Sequence, residues 1–328
     1  MTLTTKKRNL SEKISFTANQ TTRIEIPQDN LIRRLSLLFT VGLVTATTPG
    51  TGIKEDGYLN LIRKVRLTMG GDENKINVDG VKLAFVEEIQ KGTAPSIDSV
   101  VVPGGSSSNT KQLLLTLDFA QFKQQLLDFS ALLDAPNLSS LDLEIDWGDI
   151  NNILSTPNNT TVDASTTEVE VSMVEVFDDE GKALPSGFLD IRQGVDEFLI
   201  NKANTSFDDS IQEEDVTPTR SNIRAHMLLT RLDTDARDND VITQLKVENI
   251  KGSGQKFVQE RFEEARRTNK SEFGLESLKT GVLYEDWLDR IPGGLANFEA
   301  DALKWRFLTA APAASQQNKI EVYKEYTV

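Results

Sequence analysis

The sequence has no cysteine among its 328 residues. That excludes disulfide frameworks, thiolate metal sites and cysteine nucleophiles. Histidine is nearly as scarce. His226 is the single one, so any serine–histidine–aspartate triad has to be built on it. It sits between Ala225 and Met227 in a strand-like run, and no serine carries a nucleophile-elbow glycine pattern. A histidine on a sandwich face is the plainer reading. Long apolar runs are missing too: no stretch approaches the roughly 18 to 20 apolar residues that cross a bilayer. The basic start Lys6-Lys7-Arg8 has no apolar run behind it, so it does not read as a signal peptide. Phosphate-cradling loops are also absent. Gly252-Ser253-Gly254-Gln255-Lys256 is too short and lacks the required spacing.

What remains is a globular composition. Apolar residues make up 38% of the chain and charged residues 26%, enough to build cores and too apolar for a disordered chain. The net charge of −14 repels phosphate, which argues against sequence-specific or broad contact with nucleic acid. The length is that of two domains of about 150 residues.

Most regular segments alternate with a period of two. Leu113, Leu115, Leu117 and Phe119 do so, as do Leu141, Leu143, Ile145 and Trp147 between Asp142, Glu144 and Asp146. The pattern returns at Val169, Val171 and Met173, at Val241, Thr243, Leu245 and Val247, at Leu303, Trp305 and Phe307, and at Ile320 and Val322. Such alternation sets one strand face on a core and the other toward water, as in antiparallel sheets. Turn residues separate the segments at 48–52, Gly70-Gly71-Asp72, Val78-Asp79-Gly80 and Pro103-Gly104-Gly105-Ser106. Two or three helices interrupt the strands. Asp118 with Gln121 resembles a capping box ahead of Phe122, Leu126, Phe129 and Leu133. Residues 256–268 place Phe257, Val258, Phe262 and Ala265 on one face.

Residues 150–167 are polar, poor in charge and rich in Asn, Ser and Thr, which is linker chemistry. They divide the chain nearly in half, and the halves echo each other. Leu117-Asp118-Phe119 precedes the strand Leu141–Trp147, and Glu285-Asp286-Trp287 precedes Leu303–Phe307. Two β-rich halves of this size fit two sandwiches with long crossovers, and jelly rolls are one way to limit exposed sheet edges. Periodicity alone leaves immunoglobulin-like and lectin-like sandwiches open.

Here the chain resembles the double jelly-roll major capsid proteins of tailless icosahedral viruses, many of which enclose a membrane. The likeness runs through Ile32-Arg-Arg-Leu-Ser-Leu-Leu-Phe-Thr-Val-Gly42, Leu59–Gly71 and the turn and strand Ile76–Leu83. It continues through Ile223–Asp233, Val241–Asn249, Gly281–Leu288, Ala302–Leu308 and Ile320–Tyr326. It implies an all-β chain with a few short helices, folded as two tandem jelly rolls: a flexible tail at 1–13, a first jelly roll at 14–152, a linker at 153–166 and a second jelly roll at 167–328. It further implies a non-catalytic homotrimer in the virion, with six jelly rolls forming a pseudo-hexagonal capsomer. Its partners are then neighbouring capsomers, minor capsid or vertex proteins and, in members that have one, an internal membrane. No cofactor, catalytic residue or metal site is implied. The loops 103–109 and 201–222 are expected on the outer surface from their polarity, and Lys6-Lys7-Arg8 either faces a membrane or genome or is a solvated tail.

Two other functions stay open. Glu144-Ile145-Asp146-Trp147-Gly148-Asp149 resembles the Glu-x-Asp-x-x-Glu strand of lectin-like retaining β-glucanases, in which alternate residues project carboxylates into a sugar cleft. Glu144 and Asp146 match, but the acid/base position carries the shorter Asp149. The second alternative is a carbohydrate- or cell-surface-binding pair of sandwiches. The acidic loop Asp233–Asp240 offers hard oxygen ligands for calcium, although it lacks EF-hand spacing and contains Arg237. Asn137, Asn158, Asn204 and Asn269 begin glycosylation sequons.

Overall fold

The computed structural model describes residues 3–71, 73–123, 126–128, 131–178, 188, 190–207, 222–249, 256–286 and 303–327. Strands dominate, and the chain divides into two compact units, Met1–Asp190 and Ile191–Val328.

The first unit contains β1 (Leu3–Ser15), β2 (Thr21–Glu25), β3 (Leu31–Thr45), β4 (Thr51–Ile53), β5 (Ile62–Met69) and β6 (Glu73–Val78). Helix α1 (Gly80–Lys91) follows, then β7 (Ser107–Asp118), β8 (Gln121–Lys123), β9 (Leu126–Asp128) and β10 (Leu141–Trp147). The one-turn helix α2 (Ile150–Ile153), β11 (Leu154–Thr156), β12 (Thr160–Val162) and β13 (Glu168–Asp178) complete it. One sheet is ordered β1-β13-β3, with β7 along the far edge of β3 and β12 extending the β13 side. In the other, β10 lies between β2 and β5, and β6 pairs with β5. All these pairings are antiparallel. Apart from β4, which pairs with β11, and the β5–β6 hairpin, successive strands from β1 to β7 and then β10 and β13 cross between the two sheets, as in a jelly roll.

The expected alternation is realised in burial. Leu35, Leu37, Phe39, Val41 and Leu43 of β3 are 0–1% exposed, as are Leu141, Leu143, Ile145 and Trp147 of β10. Trp147 joins the layers, with its ring edge-on to Phe39 at 5.9 Å and to Phe16 at 5.3 Å. Its indole N–H donates to Thr22 Oγ1 at 2.8 Å, so a large apolar ring is buried without leaving its donor unmet.

The second unit contains β14 (Ile191–Ile200), β15 (Asn222–Arg231), β16 (Ile242–Asn249) and β17 (Lys256–Arg261). These are followed by α3 (Phe262–Glu272), β18 (Val282–Asp286), β19 (Leu303–Thr309) and β20 (Asn318–Thr327). Strands β18-β15-β20-β14 form one sheet and β17-β16-β19 the other. Leu228, Leu283, Ile320 and Val322 from the first meet Leu245, Val247, Trp305 and Phe307 from the second in one buried cluster.

Several local expectations are revised. The helix expected from Asp118 does not form. The Asp118 carboxylate accepts the amide of Ala120 at 3.1 Å, closing an Asx turn that ends β7, and β8 pairs antiparallel with β9. Leu133 bridges to Ile32, and Phe129 lies outside the described residues. The expected strand Ile76–Leu83 stops at Val78 and becomes α1. The Asp79 carboxylate accepts the Lys82 amide at 3.0 Å, and Gly92 closes the helix at φ 68°, which are strong start and stop signals. In 256–268 the helix begins only at Phe262, because Lys256–Arg261 pairs with β16.

The domain limits also shift. Of the expected tail, residues 3–13 belong to β1, which pairs with β13 from Leu3 opposite Asp178 to Ser15 opposite Glu168, with a bulge between Asn9 and Lys13. An edge strand is held by its ladder and by ion pairs such as Lys13 to Glu168 (2.5 Å) and Glu170 (2.6 Å), so it shows little apolar periodicity. The expected linker 153–166 belongs to the first unit: β11 pairs with β4, and β12 with β3. Its buried Thr160 is satisfied by groups from earlier in the chain. The Thr160 and Thr45 hydroxyls are 2.8 Å apart, and Thr160 Oγ1 accepts the Gly50 amide at 2.8 Å. The division between units falls at Asp190/Ile191, after β13.

Candidate functional site

Strand β10 presents Glu144 and Asp146 on one face, as their spacing requires, but the surroundings neutralise them. Arg66 of β5 lies 3.6 Å from Glu144 and 3.7 Å from Asp146, and Arg63 binds Asp146 at 2.7 Å. The third carboxylate does not join them. Asp149 is the N-cap of α2, where it accepts the Asn151 amide at 2.8 Å and the Asn19 side-chain amide at 2.9 Å. These bonds, Asn19 foremost, hold its pKa below the ordinary aspartate value. A glucanase needs the third carboxylate aimed at the leaving oxygen. Here it caps a helix instead, and the hydrolase reading gains no support.

His226 is fully buried in β15, with its ring edge-on to Trp305 at 5.2 Å. Its cross-strand neighbours are Glu285 and Lys324, and it lies in the sandwich interior, where a substrate has no access. The carboxylates of the loop 233–240 point to separate partners. Asp233 accepts the Gln317 amide at 3.3 Å, Asp238 accepts the Asp240 amide at 2.6 Å, and Asp235 pairs with Lys319 at 3.4 Å. Among the described residues no three histidine, cysteine, aspartate or glutamate side chains are grouped to hold a metal ion.

Of the sequon asparagines, Asn204 and Asn269 are buried. Asn204 donates to the Phe307 carbonyl at 2.7 Å, and Asn269 accepts the Tyr284 amide at 2.7 Å. Neither can carry a glycan in the folded chain. Asn137 and Asn158 are exposed. The start of the 201–222 segment is not a free loop. Asn204 bridges to Thr309, and the Phe207 carbonyl accepts from Arg306 at 2.6 Å; residues 208–221 lie outside the described residues. In 103–109, Ser106 bonds the Ala46 carbonyl through its amide at 3.2 Å, and Ser107–Asn109 already belong to β7. Arg8 of the basic start pairs with Asp29 at 2.9 Å and Glu175 at 3.6 Å.

A buried polar network among the described residues joins β15 and β20. Arg224 pairs with Glu325, whose other oxygen accepts from the Tyr323 hydroxyl at 2.9 Å. All three are at most 5% exposed. Burial works against the Arg224 charge, but the Glu325 carboxylate outweighs it and holds the guanidinium ionised above its ordinary value. Burial pushes the Tyr323 hydroxyl well above 10. The signal in the sequence was an arginine within the apolar run 223–229. Among the described residues these bonds tie β15 to β20 within one sheet.

No protein-family model and no curated protein sequence matches the chain. Solved structures do. The major capsid protein of STIV superimposes with a TM-score of 0.73 at 14% identity, over 98% of this chain and 96% of that one. The Faustovirus major capsid protein gives 0.62 at 9% identity, over 100% and 90%. The major capsid protein of bacteriophage PM2 gives 0.57 at 10% identity, over 98% of each. The chain has the double jelly-roll fold. At these identities the likeness is one of architecture. Both jelly rolls are present, because the match runs end to end. The polar groups of Glu144, Asp146 and Asp149 are used in ion pairs and in capping a turn.

Proposed function

We propose that the chain is a major capsid protein that self-assembles as pseudo-hexameric trimers into the icosahedral shell of a virion. The observation that carries this reading is the end-to-end match to viral major capsid proteins, at 98% and 96% coverage for STIV. The physics is consistent. Two similar sandwiches in each of three subunits give a near-sixfold outline from threefold symmetry, so one part packs hexagonally. In this reading the partners are two further copies, neighbouring capsomers, vertex proteins and, in a membrane-containing virus, the bilayer beneath the shell. The protein has no catalytic role.

The test is light scattering coupled to size exclusion, with negative-stain imaging of the same fractions. A particle of three times 36.4 kDa with a pseudo-hexagonal outline is expected. A strict monomer at every concentration, with no larger assemblies, overturns the proposal.

A further inference from the structure

On the inner face of the second sandwich, one row of side chains is polar. Leu228 of β15, Leu283 of β18 and Val322 of β20 belong to the buried cluster. A period of two carries that face on to His226, Glu285 and Lys324. The register sets the three in line, with His226 directly opposite Glu285 on one side and Lys324 on the other. Side chains so opposed have Cβ atoms about 4.5–5.5 Å apart. Lys324 is paired with Asp196 of β14. Exposure falls along the row, from 40% at the Asp196 side chain and 13% at Lys324 to 0% at His226 and 1% at Glu285. The facing sheet brings the Trp305 ring against His226. Arg224, two positions earlier on β15, is engaged with Glu325. Glu325, Asp286, Tyr284 and Tyr323 stand opposite Ala225 and Met227, on the other face of the sheet.

We propose that His226 and Glu285 hold one proton between them and act as a pH-sensitive latch on β18. Lys324 is balanced by Asp196, so the inner half of the row sets an imidazole against a carboxyl. With one proton the pair is neutral overall, as two neutral groups or as an ion pair, and the interior accepts it. Without that proton a carboxylate is buried opposite a neutral imidazole. With a second proton an imidazolium stands beside the Lys324 ammonium. Either change is costly in an apolar interior. The unfolded chain releases its imidazole proton near about pH 6.5 and its glutamate protons near about 4.3. Between those values folded and unfolded chains each hold one proton on these groups, and the latch is fully effective. It weakens as pH rises beyond that range, because the folded pair still keeps a proton that the unfolded chain has lost. The strand that yields is β18, the edge of its sheet among the described strands. Its first residues are also held by α3, through Arg266 on the Val282 carbonyl at 3.0 Å and Asn269 on the Tyr284 amide at 2.7 Å. The change is therefore felt at the other end, Glu285–Asp286, on the ladder to β15. The latch does not depend on the capsid reading.

The chain has no cysteine and one histidine, so His226 is the one side chain whose ordinary value falls between about pH 5 and 8. The test is amide exchange of the full-length chain, corrected for intrinsic rates. The opening constant at Glu285 and Asp286 is expected to rise about tenfold or more between about pH 6.5 and 8.5. Leu245 and Val247 of β16 should change less than about twofold. In the double variant His226→Gln/Glu285→Gln two amides replace the titrating pair, and the rise at β18 should vanish. A flat wild-type profile at Glu285 and Asp286 overturns the proposal, and that measurement decides alone if the double variant does not fold. A folded double variant that keeps the wild-type rise overturns it as well, by assigning the titration to other groups.

Discussion

Replacing Trp147 tests whether the first unit is held together by one ring between its two sheets. Trp147 is 0% exposed, touches Phe16 and Phe39 edge-on, and donates its indole N–H to Thr22. Trp147→Ala removes the whole ring from a packed interior and is expected to cost about 3–5 kcal/mol. Trp147→Phe keeps part of the ring but loses the Thr22 bond, worth about 0.5–1.5 kcal/mol, and leaves a partial void. Its cost should be about 2 kcal/mol. Thr22→Val leaves the indole donor buried and unmet, for about 1–3 kcal/mol. In the double variant Trp147→Phe/Thr22→Val the two costs should fall short of additive by roughly the value of the shared bond. The assay is urea unfolding followed by circular dichroism for all four proteins. If Trp147→Phe and Thr22→Val each cost less than about 0.5 kcal/mol, or add without coupling, the tryptophan does not bridge the layers and the sandwich assignment of the first unit fails.

Other outcomes follow from the same contacts. Glu325→Leu leaves Arg224 buried without its carboxylate and should cost about 3–5 kcal/mol, whereas the pair Arg224→Met/Glu325→Leu should recover most of that loss in urea melts. Gly80→Ala should destabilise the protein although alanine favours helices: a Cβ there would lie 2.9 Å from Ile62 Cβ and 3.0 Å from the Leu59 carbonyl. A crowding cost of about 1–3 kcal/mol exceeds a helix-propensity gain of about 1 kcal/mol, and a rise in melting temperature would contradict it. Asp149 and Asp163 both have lowered pKa values, from Asn19 and from Ser165 respectively. A carboxylate with a lowered folded pKa stabilises above its unfolded value and loses that contribution as pH falls through the folded one. The turns at 149–152 and 163–167 should therefore loosen as pH drops below about 4, seen as faster amide exchange at Asn151 and Ser165. Exchange that is indifferent to pH after correction for intrinsic rates would refute this.

The strands with one wet and one dry face were legible because a period of two survives in the side chains. Strands β7, β10 and β13 show it, and Leu113, Leu115, Leu117, Leu141, Leu143, Ile145, Trp147, Val169, Val171 and Met173 are all buried. Strand β1 and the segment 153–166 were not legible. The first is an edge held by its ladder and ion pairs, and the second buries Thr160, whose hydroxyl meets that of Thr45 in β3, so neither leaves an alternating apolar trace. The Asp118 region misled because a capping pattern and an Asx turn use the same residue. Only the position of the Ala120 amide separates them. The carboxylate series of β10 was legible as a row on one face, but its chemistry was not, since Arg63 and Arg66 come from a strand about 80 residues earlier and Asp149 turns away to cap a helix.

By itself the sequence determined that the chain is rich in strands, acidic and without thiols, with a length that suits two domains. These properties follow from composition and local alternation, which one chain segment records without reference to any other. Tertiary structure alone decided which strands are neighbours, where the first unit ends, and which charges are spent on each other. Those outcomes depend on register between residues more than 100 positions apart, such as Lys13 with Glu168 and Arg224 with Glu325. No local pattern encodes such a distance.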